Sequence, residues 1–334
     1  PLFGYITDKK SLPAMLPFCA AMAGAGFAFV GWVPAYVLLM CTVVIIGMAS
    51  ATYHPQASKT VNFLSSDNNK AANMGIFSLG GNAGMAVGSI LMAFLLTLPG
   101  GLHNTMYFVL PGLLVFGLMM KYMPEYKRVN LEHNLKVQAA KKSGAVQKIP
   151  YGGLALVLFF IFMRSTIHTG LSTYLPLFFI NFRNAEPAFA SMLVSCFLLG
   201  GVAGTYVGAV LSDRLGARRI ILGSVLCSIP AIWLIANLTH PAAVLAAVVL
   251  AGFSIIGSFA TTTILAQTML PNNVGMAAWL TIGFSVGMGG FGVTILGFLA
   301  DNYGLPFVMN LMTVLPVIAT LTAFKIPVPS QMQK

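Results

Sequence analysis

The sequence predicts an all-α membrane protein built from two pseudo-symmetric helical halves, and three observations carry that prediction: composition, apolar runs of spanning length, and alternating basic loops. Hydrophobic residues make up 57% of the chain and charged residues 7%, whereas a soluble domain carries about 25% charged residues. The formal net charge is +11, but the cations lie in short loops between apolar runs rather than along one soluble face. That placement argues for a lipid bilayer as partner and against nucleic acid. The cysteines, Cys19, Cys41, Cys196 and Cys227, stand isolated in apolar stretches with no C-x-x-C pair, so they read as small packing residues. No metal-ligand cluster and no cofactor motif accompany them.

Crossing the hydrocarbon core takes about 20 apolar residues in a helix. Ten runs meet or approach that length. The first half holds 14–30, 35–64, 71–98 and 105–122; the second holds 151–180, 188–211, 218–236, 242–269, 274–300 and 306–324. Between them lies the one long polar segment, with Lys121, Lys127, Arg128, Lys136, Lys141, Lys142 and Lys148 in or beside it. The domain organisation is therefore a first transmembrane half over 1–122, a partly helical or disordered cytoplasmic linker over 123–150, and a six-helix half over 151–334.

Loop charge tests this assignment, because alternate loops are basic if each run crosses once. Lys9 and Lys10, Lys59 and Lys70, the linker, Arg214, Arg218 and Arg219, and finally Lys325 and Lys334 fall on one side. The opposite loops contain only Arg183. The remaining cation, Arg164, lies inside a span.

The halves also repeat. GYITDKK, beginning at Gly4, echoes GAVLSDRLGARR, beginning at Gly208, with Asp8 and Asp213 in register; FSLGGNAG at Phe77 echoes FSVGMGG at Phe284. The offsets are nearly constant at about two hundred residues, which implies six helices per repeat. On that count the chain holds ten complete helices of an expected twelve. The first helix and most of the second are missing, and the chain opens on Pro1 within an apolar fragment too short to span.

On these motifs the chain resembles the major facilitator superfamily. Its loop signature, G-x-x-x-D-[RK]-x-G-[RK]-[RK], is matched by Gly4, Asp8 and Lys9, and again by Asp213, Arg214, Gly216, Arg218 and Arg219. Ala209 stands where the second copy's glycine belongs, with Gly208 one place early. Tyr53-His54-Pro55-Gln56-Ala57, followed by Gly80-Gly81-Asn82, resembles the fosmidomycin resistance family of drug exporters within that superfamily. Gln56 replaces the glutamate usual there, and Ser89 replaces the proline that follows Gly88. The resemblance implies a twelve-helix fold of two halves, a multi-pass place in the cell membrane (the cytoplasmic membrane in a bacterium), antiport with protons, and no cofactor.

Several residues could carry function. Asp8 and Asp213 lie between a helix end and the next helix, where a carboxylate either caps backbone N–H groups or pairs with basic residues of the partner half as a cytoplasmic gate. Gly80, Gly81, Gly84 and Gly88 recur at three- and four-residue spacing, as do Gly283, Gly287 and Gly290, which suits close helix packing and is compatible with rocking of the halves. Met74, Met85 and Met92 read as lipid-facing or core filler.

No acidic residue falls within a span, so intramembrane charge is confined to Arg164, His168 and His54. His54 lies about 28 Å from the outer end of its helix by helical rise; it either titrates near neutral pH as a proton-coupling group or steadies the kink at Pro55. Arg164 lies about 20 Å along its helix, past the middle. With His168 and Ser172 continuing the same face at four-residue spacing, it suggests contact with an anionic substrate. The alternative is a structural ion pair with an acid outside these spans. Ser78 with Asn82, and Thr263 with Gln267, offer further polar pairs that line a cavity or bond between helices. His103, His133 and His240 read as solvated loop residues.

There is no H-E-x-x-H, no phosphate-binding glycine loop and no nucleophile elbow. The reading is therefore a non-enzymatic secondary transporter working by alternating access, with efflux of a small drug-like or anionic compound in exchange for protons as the resemblance implies. Uptake of an organic anion, or a non-transporting sensor on the same fold, are the other readings.

Topology gives the first testable outcome. Single cysteines placed in the 123–150 linker on a cysteine-free background are expected to resist an impermeant thiol reagent in intact cells, whereas cysteines at Asn237 to His240 should be labelled. Labelled linker cysteines would reverse the assignment.

Overall fold

A computed structural model describes residues 14–142, 150–329 and 332. Gly4, Asp8, Lys9, Lys10 and Lys334 lie outside the described residues. Among those described there are helices and turns and no strand. The apolar runs dictate this, because a backbone taken out of water has to satisfy its N–H and C=O groups within its own segment.

The helices follow the runs closely. The first half supplies α1 (Met15–Val30), α2 (Tyr36–Leu64), α3 (Lys70–Thr97), a 3-10 stretch Gly101–Phe108 leading into α4 (Val109–Lys121), and α5 (Met123–Lys142) within the linker. The second half supplies α6 (Tyr151–Asn181), α7 (Pro187–Leu215), α8 (Ala217–Asn237), α9 (Pro241–Gly257), α10 (Phe259–Met269), α11 (Val274–Ala278), α12 (Phe284–Tyr303) and α13 (Leu305–Lys325). A π-helical turn, Trp279–Gly283, joins α11 to α12. Among the described residues, 8 helical segments are long and apolar enough to cross a membrane, counting α9 with α10 and Val274–Tyr303 each as one. Met15–Val30 is apolar but shorter, with 16 residues.

Local sequence explains the helix ends. Pro187, Pro241 and Pro306 sit in the first turns of α7, α9 and α13, where the missing N–H costs nothing. Between α7 and α8 the chain reverses at Gly216, whose φ of 90° is a backbone conformation that side chains disfavour. That requirement accounts for the glycine in the loop signature. In the linker, Glu125 in the first turn of α5 pairs with Arg128 at 2.6 Å, and Phe63 at the end of α2 stacks on His133 with ring centroids 3.8 Å apart.

The chain forms two compact units. One gathers α1, α2, the part of α3 from Gly80 onward, α4, α5 and Pro271–Trp279. The other gathers Asp67–Leu79, α6 to α10, and the chain from Leu280 through α13. The core of this second unit is built from Leu171 and Phe178 of α6, Phe197 of α7, Ile232 of α8, Val248 of α9 and Met309 of α13, all at 2% exposure or less.

Within that unit, α7 and α9 touch along their backbones. A Cβ added at Gly200, Gly204 or Gly208 would lie 2.4, 2.0 or 2.1 Å from the carbonyl oxygen of Val249, Phe253 or Gly257 respectively. No side chain fits there, so this is the small-residue seam by which helices associate in lipid. The glycines singled out from the sequence for that task do not perform it here. A Cβ at Gly80, Gly81, Gly84, Gly88, Gly287 or Gly290 meets nothing within 4 Å among the described residues. On α12 the packed glycines are instead Gly289, Gly292 and Gly297, against Thr169, Thr166 and Tyr174 of α6. Spacing identifies a shared face, but in a span that is apolar all round it does not say which face has a neighbour.

Gly204→Val is therefore expected to cost about 1–3 kcal/mol through overpacking, visible as a lowered unfolding temperature in detergent. Gly287→Ala should stay within about 0.5 kcal/mol of the parent. Equal effects at the two positions would contradict this assignment of packed and open faces.

Candidate functional site

Arg164 sits near the middle of α6 and is buried at 4% exposure. Its position follows from helix spacing. Gly289 and Gly292 let α12 lie against Ser165, Thr166 and Thr169 of α6, which brings Ser285, one turn before Gly289, beside the arginine. Nη2 of Arg164 donates to Ser285 Oγ at 3.3 Å, and the hydroxyls of Ser285 and Ser165 are hydrogen-bonded to each other. The guanidinium carbon lies 5.1 Å from the ring centroid of Phe259, the first residue of α10. Nε is buried and has no hydrogen-bond partner.

No carboxylate answers this charge among the described residues: their ion pairs join Lys70 to Asp67 and Arg128 to Glu125 and Glu132. A cation at the centre of a spanning helix costs about 2.5 to 3.5 kcal/mol even on mild insertion scales. A ring face and one serine hydroxyl offset part of that. The donors left over are what the site can offer a ligand.

The other candidates lie elsewhere. Ser172 donates to the carbonyl of His168 at 2.9 Å, and the His168 ring lies beside Phe197 of α7 with centroids 5.6 Å apart. The contacts of Arg164 thus run to α10 and α12 and those of His168 to α7, so the shared helical face does not become one three-donor point. Ser78 and Thr263 likewise spend their hydroxyls on carbonyls of their own helices, Met74 and Phe259. Gln267, at 2% exposure, belongs to the second unit, and Asn82, which is half-buried, to the first. His54 is exposed, its ring edge-on to Tyr53 at 5.8 Å. Next to it, Gln56 is fully buried, and neither side-chain amide atom has a hydrogen-bond partner.

In the second loop signature, Asp213 accepts from the backbone N–H groups of Ala71 at 3.2 Å and Ala72 at 2.8 Å, capping the first turn of α3. Arg218 donates to the Phe324 carbonyl at 2.8 Å, at the end of α13. Each charge thus meets the helix end of opposite partial sign. For Asp213 the cap is made across a sequence distance of more than a hundred residues. Arg214 and Arg219 are exposed.

Sequence reasoning missed Ser165, Phe259 and Ser285. Ser285 lay within the quoted repeat FSVGMGG, but nothing in the one-dimensional pattern pairs it with Arg164.

The described residues form a polytopic helical protein with Arg164 buried inside a span. The chain belongs to the Major Facilitator Superfamily, whose family model matches residues 1–273 and 157–334. It is similar to an uncharacterised MFS-type transporter, YfnC, of Bacillus subtilis (strain 168), 29% identical over 331 residues that make up 98% of this chain and 80% of the relative. The fosmidomycin resistance protein of Escherichia coli (strain K12) is 26% identical over 329 residues, covering 97% and 79%. Among solved structures, the transporter FucP in its outward conformation superposes with a TM-score of 0.76 at 13% identity, over 98% of this chain and 86% of that one. That likeness establishes the fold.

Proposed function

We propose that this transporter exports a small anionic compound by alternating access, in exchange for protons, and that Arg164 is the electrostatic anchor for the substrate. The carrying observation is a fully buried guanidinium whose Nε lacks a partner and which no carboxylate neutralises among the described residues. An oxyanion supplies what the fold withholds, because a guanidinium edge matches two oxygens of a carboxylate or phosphonate. His168, one turn away, Gln267 and Asn82 are proposed as further substrate contacts, and Ser172 as a positioning residue through its bond to the His168 carbonyl. The likeness to the fosmidomycin resistance protein supports phosphonate antibiotics as the first substrates to try. Asp213, Arg214, Gly216, Arg218 and Arg219, with Gly4, Asp8 and Lys9 of the first copy, are proposed as gate residues on the cytoplasmic side. Ten complete helices of an expected twelve, in halves 1–122 and 151–334 about the 123–150 linker, belong to the same reading.

Two experiments test it. Expression of the gene in a drug-hypersensitive bacterium should raise tolerance to phosphonate antibiotics. With the purified protein, Arg164→Gln should weaken anion binding by about 2–5 kcal/mol, Arg164→Lys should weaken it less, and neutral compounds should be little affected. Unchanged anion affinity in Arg164→Gln would make the arginine structural.

Proton exchange rests on His54, an imidazole in a spanning helix without carboxylates, whose intrinsic titration falls between about pH 5 and 8. His54→Gln is expected to flatten the pH dependence of transport across that interval. A profile that keeps its shape would return His54 to a role beside the Pro55 kink.

A further inference from the structure

The proton inventory around Arg164 leaves more donors than acceptors. A guanidinium carries five N–H donors and no acceptor, and Arg164 uses one of them, from Nη2 to Ser285. Ser165 and Ser285 share one hydrogen bond between their two hydroxyls. Two hydroxyls hold two protons, and that bond consumes one. Whichever serine donates, one hydroxyl proton remains without an acceptor among the described residues. Since Ser285 already accepts from Arg164, the arrangement that uses its oxygen fully has Ser165 donating to it and its own proton pointing away. Nε is buried with no partner as well.

The unused donors have a definite layout. Nε and Nη2 lie on the same side edge of the guanidinium, the edge that grips two oxygens of one anion side by side. The Phe259 ring lies 5.1 Å from the guanidinium carbon. Ser285 lies at the Nη2 end of that edge, so its spare proton reaches an oxygen that the edge does not hold. Two oxygens on arginine and a third on a serine hydroxyl describe a tetrahedral group.

We infer that Ser285 is a specificity-determining residue: with Arg164 it forms a site for anions that carry three terminal oxygens, phosphonates and sulfonates, in preference to two-oxygen carboxylates. Ser165 is a positioning residue in this site, holding the Ser285 hydroxyl in register through their mutual bond. The inference rests on the anion reading of Arg164 given above and adds the discrimination between anions. The 3.3 Å bond from Nη2 to Ser285 is long for a charged donor, so an incoming oxygen can replace it at small cost while Ser285 turns from acceptor to donor.

The test uses three probes with the same phenyl ring: phenylphosphonate, benzenesulfonate and benzoate. Benzenesulfonate and benzoate are both monoanions, which separates oxygen count from charge. Their affinities would be measured calorimetrically on the purified protein in detergent. In the parent both three-oxygen probes should bind more tightly than benzoate. Ser285→Ala, a change harmless to a helix, should lower affinity for phenylphosphonate and benzenesulfonate by about tenfold, as loss of one hydrogen bond to a charged group does, and change benzoate by less than about threefold. Ser285→Thr, which keeps the hydroxyl, should restore the preference. Ser165→Ala should reduce the preference less than Ser285→Ala does.

Equal losses for all three probes in Ser285→Ala, or no loss for any, would overturn the assignment. The control is Arg164→Gln: if it abolishes binding of all three while Ser285→Ala has no selective effect, the anion reading stands and the selector falls. If Arg164→Gln leaves all three unaltered, both fall together. A drop confined to phenylphosphonate, with benzenesulfonate behaving like benzoate, would mean that Ser285 senses charge rather than a third oxygen, and would equally overturn the proposal.

Discussion

Satisfying polar groups where there is no water is the constraint on which this structure depends. It dictates helices for the backbone, and it decides what the hydroxyls in those helices do. Thr52, Thr60, Ser78, Ser172 and Thr205 each donate to the carbonyl one turn back, the cheapest partner available to a short side chain in lipid. Such residues are polar in sequence but spent in structure. A polar residue that lines a cavity therefore cannot be recognised by type. It has to be recognised by a donor or acceptor left over after its own helix has been served.

By that criterion the second unit holds one concentrated exception. Arg164 and its serine neighbours form a cluster of donors, and the buried hydroxyls of Thr166, Ser258 and Thr261 are also without partners. Uncompensated polarity of this kind destabilises a resting protein. Gln56 presents the same feature in the first unit, as a buried amide with neither end satisfied. Sequence comparison with exporters drew the eye to that position as a departure from glutamate. The structure adds that the amide finds no substitute partner among its neighbours.

The legibility of the sequence divides along the same line. Spans could be read because hydrophobicity at helical length is a one-dimensional property. The apolar runs match the ends of α2 and α6 to within a residue. Arg164 was legible because a charge in a span is conspicuous. Its partners were not, since Ser285 is about one hundred and twenty residues away and is joined to it only through the packing of α12 on α6. The glycine misassignment has the same cause. Gly287 and Gly289 differ by two residues and so face different ways on α12, and only the second meets α6. An amphipathic soluble helix would have declared its buried face by polarity. Helices that are apolar on every side give no such clue.

The loop signature binds its charges to helix ends. Asp213 binds the N–H groups of α3 and Arg218 a carbonyl at the end of α13, so two of the motif's four charges are matched by partial charges of the backbone. Such bonds are directional and lie near water, where each is modest in strength, about 0.5–2 kcal/mol for a cap. A contact of that size holds a helix end in one place yet can be released by binding energy of the same order. Arg164 is the opposite kind of element: deep, desolvated and costly to leave unanswered. The two kinds of polar group thus differ in what leaving them unanswered costs: about 0.5–2 kcal/mol for a cap, and about 2.5 to 3.5 kcal/mol for a cation at the centre of a span.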